Sequence, residues 1–363
     1  MSGRVTVGVV GGGRATPLAS IFAQLPDVEV RWLCDRLSET RRSFSLTVPG
    51  ARCTSDLDEL LDDDLLDAVV VDEPSSIQHT IASRALAAEK HVFVADVLAP
   101  SSHQADELSA TAERRELALM VGSRGLLFDP AVRKLRELIE LSRLGRLLYL
   151  ESSHRIAARD VSFDDHLWRI AATELALLTY LIDDDPLDAS ACGERFGGTD
   201  AGLLACYLRF SNSVVALLRL SRVDALATHD LRAVGSTTTG AIEELGRERL
   251  LTLQDVDAGS QLGPTRLPSL DLGAYRRRGI DPRLLECEHF AAAVRSGGAI
   301  RTGVREAAAV SAALDALRAS LEDNAAAKPL QTAMRPATLL RLPPPGARPS
   351  WSPVGAATGP DPT

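Results

Sequence analysis

VTVGVVGGGRAT, residues Val5 to Thr16, decides the fold class. Val5–Val10 is a short, β-branched run of the kind that forms a strand covered on both faces. Glycines follow at once. Gly11 permits a tight turn, and Gly13 lets backbone amides approach a pyrophosphate at the start of the helix predicted over Pro17–Gln24. A second strand, Val28–Leu33, leads to Asp35, 22 residues beyond Gly13. A carboxylate there accepts hydrogen bonds from ribose hydroxyls, which points to NAD, while Arg36 beside it leaves room for a 2′-phosphate. Thr16 stands where the fingerprint has its third glycine, and VVVDEPSS puts Asp72 and Glu73 near the crevice for an anionic cofactor.

Working outward, Ala68–Val71, His91–Val94 and Leu117–Val121 read as further strands, with helices at Ile77–Ala88 and Ser102–Arg115. Continuous apolar runs such as DAVVV belong to a parallel sheet with helices on both faces. Residues 1–122 are therefore expected to form an α/β, doubly wound Rossmann domain. After a helix at Pro130–Leu141 the texture changes. Leu147–Ser153, Ala189–Phe196, Leu203–Phe210, Val214–Ser221 and Leu231–Val234 read as strands, with FSNSV (Phe210–Val214) as a hairpin turn. A long helix, about Asp165 to Ile182, interrupts them, and two more are expected at Pro282–Arg295 and Val304–Glu322. Residues 123–342 thus read as a second, α+β domain with a largely antiparallel open sheet. Seven of the last 21 residues are proline, so 343–363 reads as a disordered tail.

The 363 residues include 40 basic and 49 acidic side chains, a net charge of -9. No Lys/Arg-dense segment offers a footprint for a phosphate backbone, so nucleic acid is not an expected partner. No run approaches the roughly 18 apolar residues of a membrane helix, and no signal peptide precedes Val5. Five widely spaced cysteines lack metal-ligand spacing. A reduced cytoplasmic protein without a metal site is expected, since no HxH, HxxxH or CxxC pair is present; His154, His166 and Asp160 alone are weak ligands for one.

Across Val5 to Leu321 the chain resembles the glucose–fructose oxidoreductase/inositol dehydrogenase (Gfo/Idh/MocA) family. The resemblance rests on VGVVGGG, DAVVVDEPSSIQHTIASRALAAEKHVFV, LALMVGS, DPAVRKLRELI with LGRLLYLESS, and ECEHFAAAVRSG. WRIAATELALLTYLI and ECEHF are similar to the nucleotide-sugar 3-dehydrogenases of that family. The resemblance implies NAD as cofactor, with Pro74 and His79 near it, although His79 on a helix surface is an equally simple reading. It also implies a UDP-hexose oxidised at C3, a homo-oligomer, and a PLP-dependent aminotransferase that consumes the ketone, as in UDP-kanosamine formation for antibiotic precursors.

The family's proton-transfer lysine falls at Asp96, its long-helix histidine at Thr173 with Glu174 next, and the histidine after LMVG at Ser123. A carboxylate near its reference pKa of about 3.9 is a weak base at neutral pH. Asp96 and Glu174 then read either as a substituted acid/base pair, with Thr173 beside them, or as a decayed site. His154 and Arg155 are expected to meet the substrate, Arg because its planar fork suits a diphosphate; a solvated strand end is the alternative. His166 reads as a tuned imidazole beside Asp164 and Asp165, or these acids simply cap the helix. A redox-inactive protein that stabilises a partner, and a lyase or cyclase using Asp96 and Glu174, remain alternatives to the oxidoreductase.

Overall fold

The structure is a computed structural model that describes residues 3–11, 18–99, 101–156, 163–195, 202–245, 248–255, 265–266 and 281–330; of 75, 163–166, 195, 244–245, 248–249, 265–266 and 304 it describes the backbone alone. Gly13, the side chain of His166 with the flanking acids, and the 343–363 tail lie outside what is described. Residues 1–330 make one compact unit that contains two sheets.

The first sheet has six strands: β1 (Val5–Gly11), β2 (Val28–Cys34), β3 (Arg52–Thr54), β4 (Ala68–Asp72), β5 (His91–Val94) and β6 (Leu119–Val121). They are all parallel in the order β3-β2-β1-β4-β5-β6. The helices between them are α1 (Leu18–Phe22), α2 (Ser38–Thr47), α3 (Leu57–Leu61), α4 (Ser75–Ala87) and α5 (Ser102–Arg114). Val69, Val70 and Val71 are all fully buried. Such a strand has no solvent face, so its sequence cannot alternate. The order reverses at β1/β4, the switch point where ligands of doubly wound sheets bind.

Past the turn at Leu126–Phe128 come α6 (Pro130–Glu140), β7 (Leu147–Arg155) and the long α7 (Phe163–Ile182). Asp129 caps α6 by accepting the Ala131 N–H at 2.9 Å, with Pro130 at the first helical position. Then follow β8 (Pro186–Arg195), β9 (Gly202–Phe210), β10 (Val215–Ser221), β11 (Thr228–Gly235), β12 (Thr238–Leu245), β13 (Glu248–Asp255), β14 (Thr265–Arg266), α8 (Pro282–Ser296), α9 (Val304–Glu322) and β15 (Lys328–Pro329). The nine-stranded sheet runs β14-β13-β12-β11-β7-β10-β9-β8-β15 and is antiparallel apart from β7/β10. The β9–β10 hairpin turns at FSNSV, where Asn212 accepts the Val214 N–H at 3.0 Å. Along β9 and β10 every second residue is buried. One face of this sheet lies under α7 and α9, and the other carries exposed Tyr207 and Leu217, which sit opposite each other across β9 and β10.

Phe22, Phe93 and Phe290 tie α1, β5 and α8 together through edge-on ring contacts with centroids 5.4–6.3 Å apart. Helix α8 is thereby fixed to the first sheet, although it follows β14 of the second in sequence.

Candidate active site

The mouth of the first sheet is built by backbone geometry. Gly11 ends β1 at φ +82°, and a Cβ added there would meet the carbonyl oxygen of Asp72 at 2.5 Å and Cγ of Glu73 at 2.7 Å. Only glycine lets the chain turn this close to β4. At the tip of β2 the buried Asp35 accepts the Leu37 N–H at 2.7 Å, which fixes its carboxylate where a ribose edge would lie. Gly11 and Asp35 therefore fit a dinucleotide. Arg36 is exposed, and its carbonyl, like that of Asp35, accepts a hydrogen bond from Arg41. Pro74 leads from β4 into α4. His79 on α4 has its Nε2 3.8 Å from Glu107 of α5, a helix–helix contact.

Asp72 and Glu73 take different directions. Glu73 lies against the Gly11 turn, whereas Asp72 has an oxygen 3.6 Å from the guanidinium of Arg169 on α7. Arg169 also donates two hydrogen bonds to Oδ2 of Asp96, one from Nε at 2.7 Å and one from a terminal nitrogen. Asp96 follows β5 and is buried. A permanent cation thus sits between two carboxylates. Burial, followed by the nearby charge of Asp96, raises the Asp72 carboxyl above its ordinary range, against the pull of Arg169. Thr173, one turn beyond Arg169, is buried and donates its hydroxyl to the Arg169 carbonyl at 3.1 Å.

Glu174 belongs to a second cluster. It is completely buried and accepts hydrogen bonds from Ser152 Oγ at 2.6 Å and from His229 at 3.1 Å on Oε2; His154 Nδ1 lies 3.0 Å from Oε1. The strand register explains the convergence. β7 and β11 are antiparallel neighbours in which His154 pairs directly with His229, and their rings stack with centroids 4.9 Å apart and planes 23° from parallel. Burial would raise the Glu174 carboxyl, but the charge of His229 and the hydrogen bonds from both imidazoles outweigh it and hold the group well below the usual carboxylate range.

The expected Asp96–Glu174 pair is therefore not formed. The two carboxylates lie on different partners, Arg169 for one and Ser152, His154 and His229 for the other. Arg155 lies on the opposite face of β7 from His154. Neighbouring strand positions face opposite ways, and Arg155 donates to Thr228 Oγ1 at 2.9 Å and lies 3.4 Å from Asp230. Ser123 follows β6 and is buried. Its N–H and hydroxyl both reach Glu286 of α8, at 2.5 and 2.6 Å, and Gly125 N–H donates to the other oxygen at 2.9 Å. Burial carries the Glu286 carboxyl up to about 7 despite these three donors.

Arg169, Ser152 and His229 were not among the residues expected from sequence. His229 carries a readable signal: it occupies an inward position of an alternating strand whose next inward residues are Leu231 and Ala233. Among the described residues no helix is long and apolar enough to cross a membrane.

Residues 5–123 match the model of the oxidoreductase family with an NAD-binding Rossmann fold, GFO_IDH_MocA. The inositol 2-dehydrogenase of Leifsonia xyli subsp. xyli is 35% identical over 118 residues, 32% of this chain and 34% of that protein. The UDP-N-acetylglucosamine 3-dehydrogenase of Acidithiobacillus ferrooxidans is 27% identical over 159 residues, 44% of this chain and 49% of its own length. These matched stretches span about a third to a half of the relatives. The solved structure of the latter enzyme, GnnA, superposes with a TM-score of 0.72 at 21% identity, covering 88% of this chain and 98% of that one. GenD2 from gentamicin A biosynthesis, solved in complex with NAD, gives a TM-score of 0.72 at 20% identity over 92% of this chain and 98% of its own. At these identities the superpositions establish the fold over both sheets.

Proposed function

Because residues 5–123 form a Gfo/Idh/MocA-family, NAD-binding Rossmann domain, we propose that the chain is an NAD-linked oxidoreductase acting on a CH–OH group of a sugar nucleotide. The substrate we favour is a UDP-hexose oxidised at C3, as the name of one relative suggests. The observation that carries this reading is the position of α7. Its Arg169 reaches Asp96 and Asp72 at the carboxyl ends of β5 and β4, while its Glu174 reaches His154 on the second sheet. One helix thus joins the cofactor edge to a proton-handling cluster.

Bound NAD+ supplies the hydride acceptor. Gly11 holds the backbone clear of the cofactor, and Asp35 orients the adenosine ribose. Asp96 does not serve as the base, because two N–H groups of Arg169 engage one of its oxygens. The hydroxyl proton instead leaves through the carboxylate–imidazole cluster, entered at His154, whose side chain is 30% exposed against 1% for Glu174 and 7% for His229. Ser152 keeps the carboxylate turned toward the two rings.

The product ketone is reactive, and we place a PLP-dependent aminotransferase as the partner that consumes it in an aminosugar or antibiotic-precursor route. Copies of the chain associate through the exposed outer face around Tyr207 and Leu217. A second reading, a redox-inactive protein that stabilises such a partner, is favoured by the Asp96–Arg169 ion pair, which fills the position of the family's lysine. Calorimetric titration with NAD+ separates the two, followed by turnover of UDP-hexoses with and without the aminotransferase. The oxidoreductase binds NAD+ and releases NADH, with turnover rising when the aminotransferase is added. Absence of dinucleotide binding overturns it, and strong stand-alone turnover removes the dependence on a partner.

A further inference from the structure

We propose that His154, Glu174 and His229 form a binding site for a divalent transition-metal ion, and that Zn2+ is the ion their donor set fits. One ligand atom from each residue lies within 4.8 Å of the other two. The Glu174 oxygens are already 3.0 Å from His154 Nδ1 and 3.1 Å from His229 Nε2. Donors of a tetrahedral zinc site, with bonds of about 2.0–2.1 Å, stand about 3.3 Å apart, so the ring of donors has the dimensions of a coordination sphere.

The scaffold is equally specific. Two donors come from directly paired residues of adjacent strands and the third from the helix lying over them, so none of the three depends on a loop. Stacking of the two rings sets both imidazoles beside the one buried carboxylate. Ser152 hydrogen-bonds the carboxylate from the same inward face, the kind of outer contact that orients a metal-binding oxygen.

The chemistry of the donors narrows the ion. Mg2+ and Ca2+ prefer oxygen ligands in sixfold or higher coordination, whereas two imidazoles and a carboxylate make the three-donor set of catalytic zinc sites. Such a set leaves a fourth position open. Of the three residues His154 is the most exposed, at 30% of its side chain. Water would take the fourth position. A ring nitrogen that holds the ion cannot also take a proton from the substrate, so the metal-bound cluster and the proton route proposed above are alternative states, and metal binding itself is independent of the oxidoreductase reading.

The test uses the full chain, stripped with EDTA, dialysed and titrated with ZnCl2 by calorimetry without NAD or substrate, with metal content measured by mass spectrometry. One Zn2+ per chain is expected. His154→Gln and His229→Gln, which keep the bulk of the buried side chains, should each weaken binding by at least tenfold, and Ser152→Ala by a smaller factor. Thermal unfolding checks that the variants fold, and Co2+ substitution should give the visible bands of a tetrahedral site in the wild type and not in the double variant. No saturable binding to the wild type overturns the site. Binding retained by the folded His154→Gln/His229→Gln double variant overturns it equally, because the ion then sits elsewhere. Failure to bind NAD+ with zinc bound at stoichiometry would strike the oxidoreductase reading and leave the metal site standing.

Discussion

Two buried carboxylates meet at α7, Asp96 from the end of β5 and Glu174 on the helix itself, and their environments differ in kind. Asp96 faces a guanidinium, which is charged at every pH a protein survives. Glu174 faces two imidazoles. The first arrangement neutralises a carboxylate permanently and leaves it no chemistry. The second keeps an ionised carboxylate beside two ring nitrogens that can bind a proton or a metal ion. On the function proposed above, proton transfer belongs to the cluster around Glu174 and His154 and not to the residue in the lysine position.

The largest expected effect tests that shift directly. His154→Ala should lower NAD-linked turnover by about 10²–10⁴-fold, the usual contribution of a positioned proton-transfer group. Asp96→Asn should cost about tenfold or less. Steady-state kinetics on a UDP-hexose decide between them, and comparable losses for the two variants would erase the distinction between the clusters.

The next effect concerns stability. Removing Arg169 as Arg169→Ala leaves Asp96 and Asp72 facing each other without their cation, and breaking a buried pair from one side costs about 3–5 kcal/mol. Urea unfolding should show it. Arg169→Met combined with Asp96→Leu should recover most of the loss, because the desolvated charge disappears along with its partner. Equal destabilisation of the single and the double variant would mean that Arg169 acts through packing alone.

The sequence is most informative where burial writes a pattern. DAVVV declares a strand covered on both sides, and VALLRLS one covered on a single side, so the inner strands of both sheets were legible, whereas β12, β13, β14 and β15 were not among the strands expected. The short β3, whose Arg52 and Cys53 are exposed, carries neither pattern. The acidic pair failed for a geometric reason. Arg169 and Glu174 are five positions apart on a helix, which turns them about 140° from one another. Asp96 therefore meets the side of α7 that bears Arg169, and Glu174 faces the sheet below. His229 lies far from His154 in sequence, and only the β7–β11 register makes them neighbours. No local motif encodes such a register, which is why the absence of HxH or CxxC spacing said little about metal.

A third buried carboxylate sharpens the contrast, because Glu286 is held by neutral donors alone, two backbone N–H groups and the Ser123 hydroxyl. With no cation among its hydrogen-bond donors, burial dominates and lifts its pKa from the ordinary 4.5 to about 7. Between those values the folded protein keeps a proton that the unfolded chain releases, so stability falls as pH rises from 4.5 to 7 and the contribution is gone above it. A shift of this size corresponds to at most about 3 kcal/mol. In Glu286→Gln the amide cannot titrate, and its NH2 must face a backbone N–H, which costs about 1–3 kcal/mol at low pH. The difference in unfolding free energy between wild type and variant, which cancels the other groups, should therefore be greatest near pH 4.5 and shrink toward pH 7. A difference that grows with pH would mean that Glu286 is charged in the folded protein, and that neutral donors can hold a buried carboxylate as firmly as Arg169 holds Asp96.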